Sequence, residues 1–186
     1  MKSLKDIAMI QSGYTFRERI QDMPDGGVCV IQAKDVNAGD LSDLPTISFT
    51  NESQLLRDGD VLLSIRGSFK ALCVHTHNQK MVAASSVMVL RLKDSGISPD
   101  YLAMYFNSLL GQELLRSVAT GATISALTKS ILSTVTIPVP PPDKQRLMTS
   151  LQQNINQQQQ LTQQKIKLTD TLLNQIITTE TRGTAL

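Results

Sequence analysis

The stretch Ile137-Pro138-Val139-Pro140-Pro141-Pro142-Asp143-Lys144-Gln145 divides the chain into two unlike parts. Its apolar residues predict the end of a strand, and the prolines remove backbone donors and disfavour helix in the residues before them. A helical pattern begins directly afterwards and continues almost to the C-terminus. This arrangement predicts a compact module followed by a protruding helix, and such helices usually contact a partner.

The helical pattern is apolar at both ends and polar at its centre, where ten of the thirteen residues 152–164 are Gln or Asn. We expect a helix of about 36 residues and about 50 Å. Because isolated helices are only marginally stable, it should form a coiled coil whose polar centre fixes the register. Two alternatives stay open, a disordered Gln-rich tail and a helix folded back on its own domain. The apolar positions are Leu147, Leu151, Ile155, Leu161, Ile166, Leu168, Leu172, Leu173, Ile176 and Ile177.

The composition is that of one globular domain with an appendage. The chain has 186 residues, 41% hydrophobic but only 4% aromatic, so its core should be aliphatic. A net charge of +2 is a weak nucleic-acid signal. Cys29 and Cys73 form no CxxC and are expected to be buried free thiols in a reducing compartment. No signal-peptide pattern and no apolar run of about 20 residues is present, so we expect a cytoplasmic protein without membrane contact.

The expected fold is α+β. Residues 1–142 form a mixed α/β domain, residues 143–180 the long helix and residues 181–186 a flexible tail. Residues 3–11 predict a helix capped by Ser3, residues 34–37 a loop, and Ser98-Pro99-Asp100 the start of a helix that Gly111 interrupts. A short helix is expected over residues 125–132. Strands are expected over residues 28–31, 47–50, 61–65, 71–75, 82–92 and 135–139.

Five short pieces of sequence occur in a suggestive order: residues 4–8, residues 59–67, Tyr101-Leu102, Gly121-Ala122-Thr123 and residues 137–145. In this order the chain resembles, over essentially its whole length, the specificity (S) subunit of Type I restriction–modification systems. The family's usual junction motif ends in Glu-Gln, and this chain departs mildly from it with Asp143-Lys144-Gln145.

A full-length S subunit contains two copies of this arrangement, and only one is visible here. The resemblance therefore implies a half-length subunit that forms a homodimer by antiparallel helix packing and reads a symmetric, bipartite site in double-stranded DNA. It also implies methyltransferase subunits as partners, and it allows a translocating restriction subunit. The methyl donor S-adenosylmethionine would belong to the methyltransferase, so no cofactor is expected on this chain.

Candidate DNA-binding residues are hydrogen-bond donors in predicted loops. Arginine and lysine can bind guanine edges, asparagine can read adenine, and lysine and serine often hold phosphates. In a second group the resemblance places a Gly-Thr loop near DNA, and a helix start there could bind phosphate. For each residue the alternative is an ordinary solvated side chain or, for Ser125, a helix cap. The candidates are Arg17, Arg19, Lys34, Asn37, Arg66, Ser68, Lys70, Gly121, Thr123, Ser125 and Lys129.

No catalytic constellation is visible in the sequence. The Asn/Asp-Pro-Pro-aromatic motif of adenine methyltransferases is absent, as are the Gly-x-Gly-x-x-Gly and Walker patterns of nucleotide sites. His75 and His77 have no obvious third ligand, so no metal is expected. A non-catalytic DNA reader is the favoured interpretation. The alternatives are a coiled-coil interaction protein without a DNA role and a small DNA-modifying enzyme.

Overall fold

The computed structural model describes residues 1–23, 27–119 and 126–183, with side chains to residue 179 in the last helix. The chain divides into two units, Met1–Arg146 and Leu147–Leu186. Among the described residues, every strand belongs to the first unit. The second unit continues a single long helix.

Three sheets form within the described residues. The largest has the strand order β2-β8-β5-β6 and is antiparallel throughout. The second has the order β4-β3-β7, with β3 parallel to β7, and β1 pairs with β9. The strands are β1 (Lys2–Ser3), β2 (Ala8–Ser12), β3 (Gly27–Ile31), β4 (Thr46–Ser48), β5 (Val61–Ser64), β6 (Ala71–Cys73), β7 (Lys80–Ala83), β8 (Val87–Leu92) and β9 (Thr136–Ile137).

Helices of very different length accompany these sheets, and the mixture confirms the predicted α+β class. The helices are α1 (Leu4–Ile7), α2 (Ala33–Ala38), α3 (Pro99–Asn107), α4 (Leu109–Ala119), α5 (Lys129–Thr134) and α6 (Pro142–Gly183), with a 3-10 turn at Glu52–Gln54. No helix in the described ranges combines the length and the apolar character that crossing a membrane requires.

Strand β5 lies at the centre of the core because all four of its residues are buried. Val61 and Leu63 face one hydrophobic cluster, which includes Leu102 and Phe106 of α3. Leu62 faces a second cluster, shared with the sheet that contains β3. The alternation of side chains along a strand therefore places one sheet between two aliphatic layers. The predicted strands over residues 28–31, 47–50, 61–65 and 71–75 are confirmed as β3, β4, β5 and β6 with small differences at their ends.

The predicted helix over residues 3–11 is wrong beyond its first turn. Helix α1 ends at Ile7, and β2 then pairs with β8, with Ile10 opposite Leu90. Ser3 precedes α1, but its hydroxyl makes no capping hydrogen bond. Ala8 and Ile10 are buried while Met9 is exposed, which fits both a strand and a short helix. Pairing with a distant strand decides between them, and that contact is invisible to local periodicity.

The predicted strand over residues 82–92 is two strands in different sheets. Strand β7 runs parallel to β3, and β8 lies between β2 and β5. A tight turn separates them, in which Val87 N donates to Ala84 O at 2.9 Å. The turn residues Ala84, Ser85 and Ser86 are small and only weakly polar. The apolar pattern over residues 82–92 therefore predicts one continuous strand.

The predicted loop over residues 34–37 is helix α2. Its first turn is stabilised by Gln32 N, which donates to Asp35 Oδ2 at 2.8 Å. It ends at Gly39, whose φ of +69° is the left-handed conformation that glycine adopts at helix ends. Helix α2 depends on one cap and one glycine rather than on an apolar stripe. The hydrophobic periodicity of the sequence therefore did not predict this helix.

Gly111 lies inside α4 and does not interrupt the predicted helix. The break falls at Ser108, and a Cβ at position 111 would lie only 2.0 Å from Tyr105 O. Glycine therefore permits a close approach of α4 to the end of α3.

The segment between α4 and β9 also differs from its prediction. Helix α5 starts four residues later than expected, with Thr128 Oγ1 accepting from Ile131 N, and β9 is shorter than the predicted strand over residues 135–139. The predicted cap Ser125 lies outside the described residues.

Helix α6 extends over 42 residues, about 63 Å at 1.5 Å per residue. The predicted helix over residues 143–180 is therefore present and slightly longer. The alternative prediction of a disordered Gln-rich tail does not hold for these residues. Pro142 occupies the first helical position, where a missing N–H has no cost. The predicted apolar positions from Leu147 to Ile177 are all about half exposed or more.

Candidate nucleic-acid interface

The loop over residues 65–70 connects β5 to β6 and carries three predicted DNA contacts. Phe69 anchors it, because this side chain is only 5% exposed within the main core. Gln112 Nε2 donates to Phe69 O at 3.0 Å and to Phe106 O at 2.7 Å, so α4 holds the loop backbone. Arg66 and Ser68 are exposed, whereas Lys70 is half-buried.

The loop also contains two residues with positive φ. Gly67 has φ +79° and Phe69 has φ +47°. The second value is costly for a residue with a Cβ, and burial of the Phe69 ring offsets it. These backbone conformations fix the course of the loop between β5 and β6, and so the positions of Arg66 and Ser68.

Asn37 joins this loop to helix α2. Its Oδ1 accepts hydrogen bonds from Ser64 Oγ at 2.7 Å and from Ser68 Oγ at 2.9 Å. An amide oxygen has two lone pairs, and here both are used. Asn37 was predicted to read adenine, which requires an accepting oxygen and a donating nitrogen. In this arrangement it presents only N–H donors and holds the loop in place.

Three further segments meet at the same edge of the sheets. Ser86, in the turn between β7 and β8, connects the start of α2 to the 65–70 loop. Its Oγ accepts from Ala33 N at 3.2 Å, and its carbonyl accepts from Ile65 N at 3.2 Å. Leu127 N donates to Ile65 O at 3.0 Å, which brings in the segment before α5. We call the exposed donors carried by these segments the rim cluster, namely Lys34, Asn37, Arg66, Ser68 and Lys129.

The second predicted group is only partly described. Lys129 is exposed at the start of α5. The predicted contacts Gly121, Thr123 and Ser125 lie outside the described residues.

Arg17 and Arg19 belong to a different surface. They line an open cleft of about 440 Å³ beside the sheet that contains β3. Its floor includes Tyr14, whose ring centroid lies 4.9 Å from that of Phe16 and 5.0 Å from that of Phe49. The hydrogen bonds that join the rim cluster do not involve this cleft. The sequence prediction missed this aromatic lining. Tyr14-x-Phe16 directly before Arg17 was a usable signal, because aromatic rings that stay partly accessible, as these half-buried rings do, can stack on bases.

A buried ion pair supports the strand that leads to the loop. Asp60 is 1% exposed and accepts from Arg91 Nε at 2.8 Å and Arg91 Nη2 at 2.6 Å. Hydrogen bonds to the Asp60 carboxylate raise the pKa of the Arg91 guanidinium, despite an opposing effect of burial. A bidentate pair of this kind fixes the start of β5 against β8, at the end of the strand remote from the loop.

The other polar group of interest lies around His75. Cys73, His75 and Asp100 each bring a ligand atom to within 4.8 Å of the others. The sequence predicted no metal site at His75 and His77, and the group that forms contains His75 but not His77. Burial, followed by the carboxylates of Asp100, Asp58 and Asp60, raises the pKa of the Cys73 thiol to about 12. The sequence did not indicate this group because Asp100 is distant along the chain.

Comparison with known families and structures gives a consistent result. The family described as the Type I restriction modification DNA specificity domain matches residues 1–175. No curated protein matches the chain by sequence.

Two solved structures are 26% identical to the chain, and each similarity covers 84% of it. One is the HsdS subunit from Thermoanaerobacter tengcongensis, with a TM-score of 0.60 and 36% of that chain covered. The other comes from work on complex assembly and conformational transition of the type I R-M system, with a TM-score of 0.63 and 37% covered.

A third solved structure is the Type-I restriction-modification system S subunit from M. genitalium, at 14% identity. Its TM-score is 0.59, with 84% of this chain and 38% of that chain covered, and it supports the fold alone. The chain therefore spans little more than a third of the length of the solved structures that it matches.

Proposed function

Since the chain belongs to the family of Type I restriction modification DNA specificity domains, we propose that it recognises a specific sequence in double-stranded DNA for a Type I restriction–modification enzyme. The observation that carries this proposal is the match over residues 1–175, which includes both the mixed α/β unit and most of α6. In this role the chain selects the site, and partner subunits perform the chemistry. It holds no methyl donor itself.

The rim cluster supplies the donors that such a reader needs. Arg66 is exposed on a loop whose backbone is held at Phe69, so its guanidinium can present two parallel donors to a guanine edge. Lys34 and Lys129 flank it on neighbouring helices and suit phosphate contacts, which set the position of the protein on the duplex. Arg17 and Arg19 would form a second, separate contact beside the aromatic cleft.

The exposed stripe of α6 supports a homodimer. At about 100° per residue, the side chains of five leucines project within an arc of about 100°, less than a third of the helix circumference. They are Leu147, Leu151, Leu161, Leu168 and Leu172. Each is more than half exposed. A second copy is the occupant that we propose, because the chain supplies one recognition unit and the similarity covers only 36–37% of its solved relatives. Antiparallel packing would place the two Gln-rich centres opposite each other.

A symmetric dimer has consequences for the DNA site and for the partners. Two identical recognition units related by a two-fold axis read the same half-site on opposite strands, so the full site is bipartite and symmetric. The length of α6 would set the distance between the half-sites. The same assembly would recruit two methyltransferase subunits, which carry S-adenosylmethionine and act on a flipped adenine, and a restriction subunit can join them.

The decisive experiment measures methylation that depends on this chain. A host lacking other adenine methylation would carry the partner methyltransferase gene with or without this gene, and its genome would be sequenced for methylated adenine. We expect methylation at one symmetric bipartite motif only when both genes are present. Methylation that is identical in both strains, or absent from both while the two proteins fail to co-purify, would reject the proposal.

A further inference from the structure

Three chemically different ligands converge beside the end of β6. Cys73 is its last residue, His75 follows two positions later, and Asp100 lies in the first turn of α3. Their ligand atoms, one thiol sulfur, one imidazole nitrogen and one carboxylate oxygen, all lie within 4.8 Å of one another. His75 Nε2 lies 3.4 Å from Asp100 Oδ1.

These separations are close to those of a metal site. Zinc binds sulfur at about 2.3 Å and nitrogen or oxygen at about 2.0–2.2 Å with tetrahedral angles, which places its ligand atoms about 3.3–3.8 Å apart. The distance from His75 Nε2 to Asp100 Oδ1 already falls in this range. The remaining separations would shorten by at most about 1 Å. His75 is 53% exposed and Asp100 is 40% exposed, so both side chains have room to move.

Asp58 lies on the side of the His75 imidazole that is opposite to Asp100, near Nδ1. Its Oδ1 lies 4.0 Å from His75 Nδ1 and accepts from Thr76 N at 3.1 Å. A carboxylate that accepts a hydrogen bond from the far nitrogen of a histidine orients the ring and makes the near nitrogen a better ligand, and a shift of about 1 Å would bring Asp58 to that distance. Among the described residues, neither Asp58 nor Asp100 forms an ion pair with lysine or arginine. The group therefore concentrates negative charge that a cation would neutralise.

We propose that Cys73, His75 and Asp100 bind a divalent zinc-type cation, with Asp58 as the positioning residue for His75. A mixed set of sulfur, nitrogen and oxygen suits a cation of intermediate softness better than magnesium or calcium. Such a cation displaces the thiol proton on binding, because its own charge becomes the largest in the group. Three protein ligands leave a fourth position for water. The bound cation would tie β6 to the start of α3, and this role does not depend on DNA recognition.

The test uses the full chain without an affinity tag, first freed of metal with a chelator and then titrated with Co²⁺. We expect one equivalent to bind and to produce a thiolate-to-cobalt charge-transfer band, which Zn²⁺ then displaces. The band should disappear in Cys73→Ser. It should remain in Cys29→Ser, which changes the other thiol in a separate cluster, and in His77→Asn, which removes the neighbouring imidazole.

Two more variants distinguish the loss of a metal ligand from misfolding of the chain. His75→Asn removes a ligand at an exposed position and should abolish the band while the circular dichroism spectrum is unchanged. Asp58→Asn should keep the band but weaken Co²⁺ binding by about tenfold or more. The proposal is overturned if the wild-type chain gives no thiolate band, or if the band survives in Cys73→Ser or in His75→Asn. None of these measurements uses DNA, so their outcome is separate from that of the proposed function.

Discussion

At the scale of single residues, Gln145 shows why the junction motif has its sequence. Its side chain is 1% exposed although it follows three prolines in a polar stretch. Nε2 donates to Gly96 O and to Pro140 O, both at 2.8 Å, and Oε1 accepts from Ser98 N at 2.8 Å. One amide therefore ties the first turn of α6 to the segment before α3. The motif predicted that a helix begins here, as α6 does, but nothing in the sequence identified these three partners.

Replacing Gln145 with alanine should lower the free energy of unfolding of the recognition unit by about 3 kcal/mol. The physical reason is that Gly96 O, Pro140 O and Ser98 N would all lose their buried partner. Urea denaturation followed by circular dichroism measures this change. The matched control is Gln157→Ala on the exposed surface of α6, which should change stability by less than about 0.5 kcal/mol. Equal effects of the two substitutions would contradict this account of the junction.

Arg66→Ala should weaken binding to the cognate DNA by about 1–3 kcal/mol and relax the preference at one base pair, because a bidentate contact with guanine would be lost. Competition binding with a set of single-base variants of the site measures both effects. Lys80→Ala is the control, since this exposed lysine starts β7 at the end remote from Ser86 and the rim cluster. A uniform loss across all sequences would instead identify Arg66 as a phosphate contact.

At the scale of elements, α6 combines an exposed apolar stripe with a polar centre. The predicted length of α6 was close to the observed length, because apolar residues recur at helical spacing on both sides of the Gln-rich segment. Strands β3 and β5 were predictable for a similar reason, since each is a short run of buried aliphatic residues. Strand β2 and the division between β7 and β8 were not, because pairing partners tens of residues away decide them.

Leu172→Glu should convert the proposed dimer to a monomer at low micromolar concentration. Burial of a leucine contributes about 1.5–3 kcal/mol, and a two-fold dimer loses this contribution twice. Size-exclusion chromatography with light scattering distinguishes twice the 20.4 kDa chain mass from the mass itself. Asn174→Glu introduces the same charge about 160° around α6 from Leu172 and should leave the dimer intact. A monomeric wild-type chain would reject the symmetric arrangement.

At the scale of the whole molecule, the candidate site depends on contacts between distant segments. Asn37 and Ser68 are 31 residues apart, and Cys73 and Asp100 are 27 apart. The sequence predicted the donors Lys34, Asn37, Arg66 and Ser68 one by one because each lies near the end of a strand or in a loop. It could not predict that Asn37 holds Ser68, or that Cys73 and Asp100 approach His75, since a linear pattern contains no distances.

Inserting one heptad of seven residues into the centre of α6 should lengthen the spacer between the half-sites by about three base pairs. Seven helical residues add about 10.5 Å, and one helical turn of 10–10.5 base pairs spans about 34–36 Å. A heptad also keeps the apolar stripe in phase. Methylome sequencing of a host with the variant measures the new spacer. An insertion of five residues is the control, because it rotates one half of the stripe by about 140° relative to the other and should abolish methylation.

The anchoring of the 65–70 loop has a consequence for how such a protein can change over generations. Phe69 and Gln112 hold the loop through the core and the backbone, whereas the exposed side chain at position 66 contributes little to folding. Mutations at this position are therefore nearly free of a stability cost. A lineage can drift to a new target sequence there by single substitutions, while the same scaffold and the same long helix are inherited unchanged.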